Sequence, residues 1–184
     1  MKTCDVTKRA CVLAGGLATL LTLGGCANQQ LEAYRQAQPA LDLTQYFNGE
    51  LQAHGIFQNW RGQVVRRFTV DMTGRWSGDE GVLDERFHYA DGEQGRRIWH
   101  LKRHADGHYT GSADDVVGQA EGRAVGNAFH WQYTLRLPVD GRVYEVQFDD
   151  WMYLVNRQVM LNRASMSKFG LPLGQVTLSF YKPD

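Results

Sequence analysis

Between residues 129 and 137 every odd position (Phe129, Trp131, Tyr133, Leu135, Leu137) is apolar and every even one (His130, Gln132, Thr134, Arg136) is polar. Successive side chains of a strand point to opposite faces, so this segment lays one face on a core and leaves the other in water. From Tyr46 onward the same period of two recurs and helical periodicity is almost absent. The pairs Thr73-Gly74, Asp91-Gly92, Asp106-Gly107, Gly126-Asn127, Asp140-Gly141 and Asn156-Arg157 punctuate it as turns. Sequential strands joined by short turns make an antiparallel meander, and closure is what removes its exposed edges. The expectation is an all-β chain: a single antiparallel barrel of about eight to ten strands.

Turn length fixes which residues face one another, and a slip of one position sends every side chain to the opposite face. With Gly126-Asn127 as a two-residue turn, Gly118 faces Leu135, Ala120 faces Tyr133, Gly122 faces Trp131 and Ala124 faces Phe129. Small residues thus oppose large ones. Room for aromatic rings is the plainer explanation and is preferred to a ligand-lined hollow. The spacing Gly118, Gly122, Gly126 also matches a helix-dimer motif, but the intervening Gln119, Glu121 and Arg123 do not suit one.

A turn at Asp140-Gly141 places Leu137 opposite Tyr144, Leu135 opposite Val146, Tyr133 opposite Phe148, Trp131 opposite Asp150 and Phe129 opposite Met152. A two-residue turn at Asn156-Arg157 then sets Met152 against Leu161 and Asp150 against Arg163. A carboxylate on an apolar face is costly unless paired, and Arg163 supplies the partner. Such a pair either pins strand register, the plainer reading, or orients a ligand head group, with Asp150 available as a base in a closed cavity. A bulge at Asp149-Asp150 would exchange which of the two faces inward.

Other constellations carry less. His100, His104 and His108 have a helical zinc-ligand spacing, but Asp106-Gly107 interrupts any helix there, and Trp99 and Leu101 alternate as in a strand. His54, His88 and His130 are isolated. Asp114 and Asp115 are adjacent, so on a strand they point to opposite faces; Asp114 with Asp150 remains open as a two-carboxylate acid–base pair. No Gly-x-Ser-x-Gly elbow, phosphate loop or His-Glu-x-x-His segment occurs, and nothing calls for a cofactor.

At the other end of the chain, Lys2, Lys8 and Arg9 precede an apolar stretch over residues 10–23, the layout of a secretory signal peptide. The following Leu23-Gly24-Gly25-Cys26 resembles the lipobox of bacterial lipoproteins, in which the cysteine is acylated and becomes the first mature residue. Cleavage would remove Cys4 and Cys11 and commit Cys26 to its acyl chains, leaving no thiol for catalysis, disulfides or metal. It would also remove Lys2, Lys8, Arg9 and Asp5, turning 20 basic and 20 acidic residues into 17 and 19. A nucleic-acid partner would want a basic surface, and none is indicated. Ala27 is not the Asp that, in that lipoprotein family, retains a protein at the inner membrane. The expected address is therefore the periplasmic face of the outer membrane, through the Cys26 acyl chains. Residues 1–25 read as the leader, 26–45 as a lipidated tether with Pro39, and 46–184 as the barrel domain.

Phe47-x-Gly49, Arg66-Arg67-Phe68, Trp99, Tyr109-x-Gly111-x-Ala113-Asp114-Asp115-Val116-x-Gly118, Gly126-Asn127-Ala128, residues 148–154 and Asn162-Arg163-Ala164-x-Met166-x-Lys168-Phe169-Gly170 together resemble a family of small proteobacterial lipoproteins of unknown function. The resemblance covers nearly all of residues 46–182. It implies a lipocalin-like barrel and no catalytic residues. The function expected is binding of a lipid or other apolar molecule, with Asp150 and Arg163 orienting its polar head, Asp114 beside them, and Trp131, Tyr133 and Phe148 as walls. The alternatives are a lipid- or pigment-modifying enzyme using Asp150, and a structural or chaperone-like lipoprotein with a filled barrel.

Overall fold

The computed structural model describes residues 30–139 and 141–184; residues 1–25, expected as a leader, and Cys26, Ala27 and Asp140 lie outside the described residues. Ten strands form a closed barrel: β1 (Gly49–Asn59), β2 (Val64–Ser77), β3 (Glu80–Tyr89), β4 (Gln94–Arg103), β5 (His108–Ser112), β6 (Ala120–Val125), β7 (Ala128–Val139), β8 (Arg142–Leu154), β9 (Val159–Lys168) and β10 (Leu171–Tyr181). Each strand pairs antiparallel with its sequence neighbours, and β1 closes on β10. The meander barrel expected from the alternation is present.

Alternation sorts the side chains as it should. On β9, Met160, Asn162, Ala164 and Met166 are buried while Leu161, Arg163 and Ser165 are exposed. Register follows turn length. The β6–β7 hairpin pairs Gly122 with Trp131 and Ala124 with Phe129, and the β7–β8 hairpin runs from Leu137 opposite Tyr144 to Phe129 opposite Met152, as expected. At Gly122 the packing explanation holds, because a Cβ there would lie 2.6 Å from the Trp131 ring and 2.2 Å from the His130 carbonyl oxygen.

Two register expectations fail. β6 begins at Ala120, Gly118 sits outside it with φ +68°, and Val116 rather than Gly118 bridges to Leu135. The backbone here turns away from the sheet edge, leaving Asp114 exposed and Asp115 half-buried. At the β8–β9 hairpin the loop holds three residues, not two. The Asn156 side-chain oxygen accepts from the backbone N–H groups of Gln158 and Val159, and Val155 N–H donates to the Val159 carbonyl. That extra residue slips the register by one: Met152 faces Asn162, Asp150 faces Ala164, and Trp151 faces Arg163. Arg163 is therefore on the outer surface, where its Nε donates to Gln175 Oε1 at 3.1 Å. The expected Asp150–Arg163 pair does not exist.

The barrel has two unlike ends. One carries the β2–β3, β4–β5, β6–β7 and β8–β9 turns and is sealed by the segment before β1. Asp42 caps a four-residue helix, α1 (Leu43–Tyr46), by accepting from Thr44 N–H at 2.9 Å. Leu41, Leu43, Tyr46 and Phe47 are all buried there, Phe47 lying edge-on to Phe180 at 5.7 Å. Residues 30–45, expected as a tether, thus lie partly in the core. The chain reaches the seal through a 3₁₀ turn (Leu31–Tyr34) laid across the β6–β7 turn, with Leu41 N–H donating to the Gly126 carbonyl at 2.8 Å. Gly126 has φ +56°, and a Cβ on it would lie 1.7 Å from the Tyr34 carbonyl oxygen. The opposite end carries the other connections and is the mouth.

Candidate functional site

Inside the barrel is a cavity of about 410 Å³, within the range that small-molecule sites occupy. Register sets its layers. Toward the seal lie Leu43, Phe47, Leu83, Trp99, Trp131 and Met152; toward the mouth lie Phe57, Phe68, Phe87, Tyr89, Leu137 and Val176. Between these apolar layers Glu85, Arg97, Tyr133, Asp150 and Asn162 form a polar belt.

On one side of the belt, Asp150 points inward between Phe148 and Met152, 5 % exposed, while Asp149 points outward to His130 and Gln132. Tyr133 Oη donates to Asp150 Oδ2 at 3.2 Å and Asn162 Nδ2 donates to the same oxygen at 3.4 Å. Burial pushes the Asp150 carboxyl up to about 7, against the opposing pull of those two hydrogen bonds. Asp150 Oδ1 and Asn162 Oδ1 are buried without a hydrogen-bond partner. Tyr133 stacks on Phe148 at 5.0 Å and meets Trp99 edge-on at 5.4 Å, so the hydroxyl that serves Asp150 is held by its ring. Burial, reinforced by the Asp150 charge, keeps that phenol protonated.

Across the cavity, Glu85 of β3 and Arg97 of β4 are directly paired residues. Arg97 is forked onto Asp115, with Nε at 3.0 Å and Nη2 at 2.7 Å, and its Nη1 lies 3.8 Å from Glu85. Burial disfavours the guanidinium charge, but Asp115 and Glu85 outweigh it and Arg97 stays charged. Burial raises the Glu85 carboxyl to about 7, with Arg97 and a hydrogen bond from Trp99 pulling the other way. At the mouth Arg66 lies over the Tyr89 ring at 3.6 Å and is paired to Asp91 at 3.1 Å and to Glu93.

Of the residues expected at the site, Trp131, Tyr133, Phe148 and Asp150 line one cavity. Arg163 and Asp114 do not: both are exposed and outside its lining, so Asp114 and Asp150 share no site. His104 and His108 straddle the β4–β5 turn with rings stacked at 5.0 Å, and His100 is exposed on β4. Glu85, Arg97 and Asn162 were missed. The signal for Glu85 was present, since it interrupts the row Leu83, Phe87, Tyr89 just as Asp150 interrupts Phe148 and Met152. Its pairing with Arg97 was hidden because Ala90-Asp91-Gly92 is a three-residue loop, closed by Tyr89 N–H to the Glu93 carbonyl and ended by Gly92 at φ +90°.

A family model described as "Protein of unknown function (DUF3833)" matches residues 20–182, so the chain belongs to that family. No curated protein matches the sequence. Among solved structures, the S-type phycobiliprotein lyase CPES from Guillardia theta superposes with a TM-score of 0.59 at 8 % identity, over 84 % of this chain and 98 % of that one. A de novo designed fluorescence-activating β-barrel aligns with a TM-score of 0.40 at 15 % identity, over 78 % and 99 % of the two chains. The first of these likenesses is one of fold.

Proposed function

We propose that this member of DUF3833 is an envelope lipoprotein, held at the periplasmic face of the outer membrane through Cys26, that binds a lipid or other apolar small molecule inside its barrel. The observation that carries the reading is the cavity of about 410 Å³ walled by aromatic and aliphatic side chains, with a polar belt at mid-depth. A barrel built only as a scaffold would gain by filling that space, since voids forfeit packing contacts. The mouth supports the reading too. Trp60, Val143, Phe169 and Leu171, on three hairpin tips adjacent around the barrel, are largely exposed. Contiguous exposed apolar residues mark surfaces that meet apolar partners.

The test is native mass spectrometry of the full chain after exposure to N-phenyl-1-naphthylamine and to a phospholipid extract. A stoichiometric adduct that Ala164→Leu, which fills the cavity wall, diminishes is the expected result. Recovery of ligand-free protein under both exposures would sink the reading. The address is tested separately: Cys26→Ser should abolish labelling by radioactive palmitate and release the chain from the membrane fraction.

One observation favours a second reading, an enzyme acting on a bound lipid or pigment. Asp150 and Glu85 reach the same cavity with carboxyls both raised to about 7, where a group can take and return a proton near neutrality. Turnover of a bound compound, lost in Asp150→Asn while binding persists, would establish it.

A further inference from the structure

We infer that the belt selects an apolar molecule whose polar group donates hydrogen bonds, such as an alcohol or an N–H group, and rejects both a carboxylate and a group that can only accept. This deepens the binding reading above and rests on it.

The inference comes from counting donors and acceptors. Asp150 Oδ2 already receives two, from Tyr133 and Asn162. Asn162 has spent one of its two amide N–H groups on that contact, and its carbonyl oxygen is left without a partner. With Asp150 ionised, as it is above about pH 7, Asp150 Oδ1 and Asn162 Oδ1 are two acceptors, on residues 5 % and 2 % exposed, with no hydrogen-bond partner among the described residues. Native proteins rarely leave such groups unsatisfied, and both residues line the cavity. A donor on the ligand completes them; an ester or ether oxygen would add further unmatched acceptors.

Charge points the same way. Facing the cavity are Asp150 from β8, Tyr133 from β7, Glu85 from β3, Arg97 from β4 and, near the mouth, Arg66 from β2. A fatty-acid carboxylate needs a free cation. Arg97 is engaged by Asp115 and Glu85, and Arg66 by Asp91 and Glu93. Above about pH 7 the charged groups left to meet an anion are the Asp150 and Glu85 carboxylates, which repel it. A site whose buried polar groups are built around one partner discriminates sharply against the analogue that cannot satisfy them.

Three probes of equal chain length separate the terms: 1-dodecanol donates, methyl dodecanoate is neutral but only accepts, and dodecanoate is anionic. Titrated below their aggregation limits into the full chain at pH 8, with the change in intrinsic tryptophan fluorescence, to which the cavity residues Trp99 and Trp131 contribute, as readout, dodecanol should bind at least about tenfold more tightly than either of the others. In Asp150→Asn, which keeps the shape and loses the charge, the preference for dodecanol over dodecanoate should shrink below about threefold. Methyl dodecanoate or dodecanoate binding the wild type as tightly as dodecanol overturns the inference and leaves the cavity reading standing. Failure of all three probes to bind overturns the cavity reading itself.

Discussion

The two ends of this barrel meet water with opposite use of apolar residues. At the sealed end Leu41, Leu43, Tyr46 and Phe47 are withdrawn into the core, and the segment carrying them is tied down at several points. Tyr46 Oη donates to the Gln158 carbonyl at 3.0 Å, and Lys182 Nζ donates to the carbonyls of Gln45 and Asn48. At the mouth Trp60 is 67 % exposed and Phe169 87 % exposed, with Arg61 over the Trp60 ring and Lys168 near that of Phe169. Both ends are built from hairpin tips of the same sheet. They differ in how those tips are covered: a plug made by chain outside the sheet closes one end, and bare apolar tips ring the other. The covered end should therefore contribute more to stability than the bare one.

The comparison breaks most readily at the seal. Phe47→Ala should cost about 3–5 kcal/mol, read from the urea unfolding midpoint, because it empties a buried contact with Phe180. A loss under about 1 kcal/mol would mean that the plug is not part of the cooperative unit.

The belt between the ends comes next. Asp150 titrates at about 7 when folded, against an ordinary value of 3.8. The folded chain therefore holds a proton that the unfolded chain has released. Its contribution is fullest below about pH 4, is lost as pH rises toward 7, and is level above that. The shift bounds the loss at roughly 4 kcal/mol. Asp150→Asn should therefore gain stability relative to wild type between about pH 5 and pH 8. A difference that stays flat over that interval would remove the raised carboxyl from the account.

Gly126→Ala should destabilise by about 1 kcal/mol or more, since it meets both a left-handed backbone and the Tyr34 carbonyl. Thermal unfolding followed by circular dichroism measures it. The smallest effect belongs to the mouth. Phe169→Ala should change stability by less than about 0.5 kcal/mol. If it costs as much as Phe47→Ala, the two ends do not differ in the way described.

How much of this was legible in the sequence depends on turns rather than strands. Alternation alone identified β7, and Asp140-Gly141 as a two-residue turn set its register on β8 correctly along the whole hairpin. Asn156-Arg157 looked equivalent but was not, because the Asn156 side chain closes a loop one residue longer. Parity then exchanged Asn162 for Arg163 at the cavity wall. On the inner face of this barrel an acid does sit opposite a base across a hairpin, but the pair is Glu85 with Arg97, behind another three-residue loop. The plug escaped notice for a different reason. A single turn of helix has no period to detect, and Leu41, Leu43, Tyr46 and Phe47 are buried by tertiary contact alone.

The path of the first described residues across Gly126 gives the molecule a bow and a stern. A mooring upstream of Gln30, as proposed above, would pull on the sealed end and set the mouth on the far side. If Cys26 is the mooring, the four residues to Gln30 span at most about 14 Å, which holds the stern near its membrane. The proposed ligand would then enter from the side that faces away from that membrane.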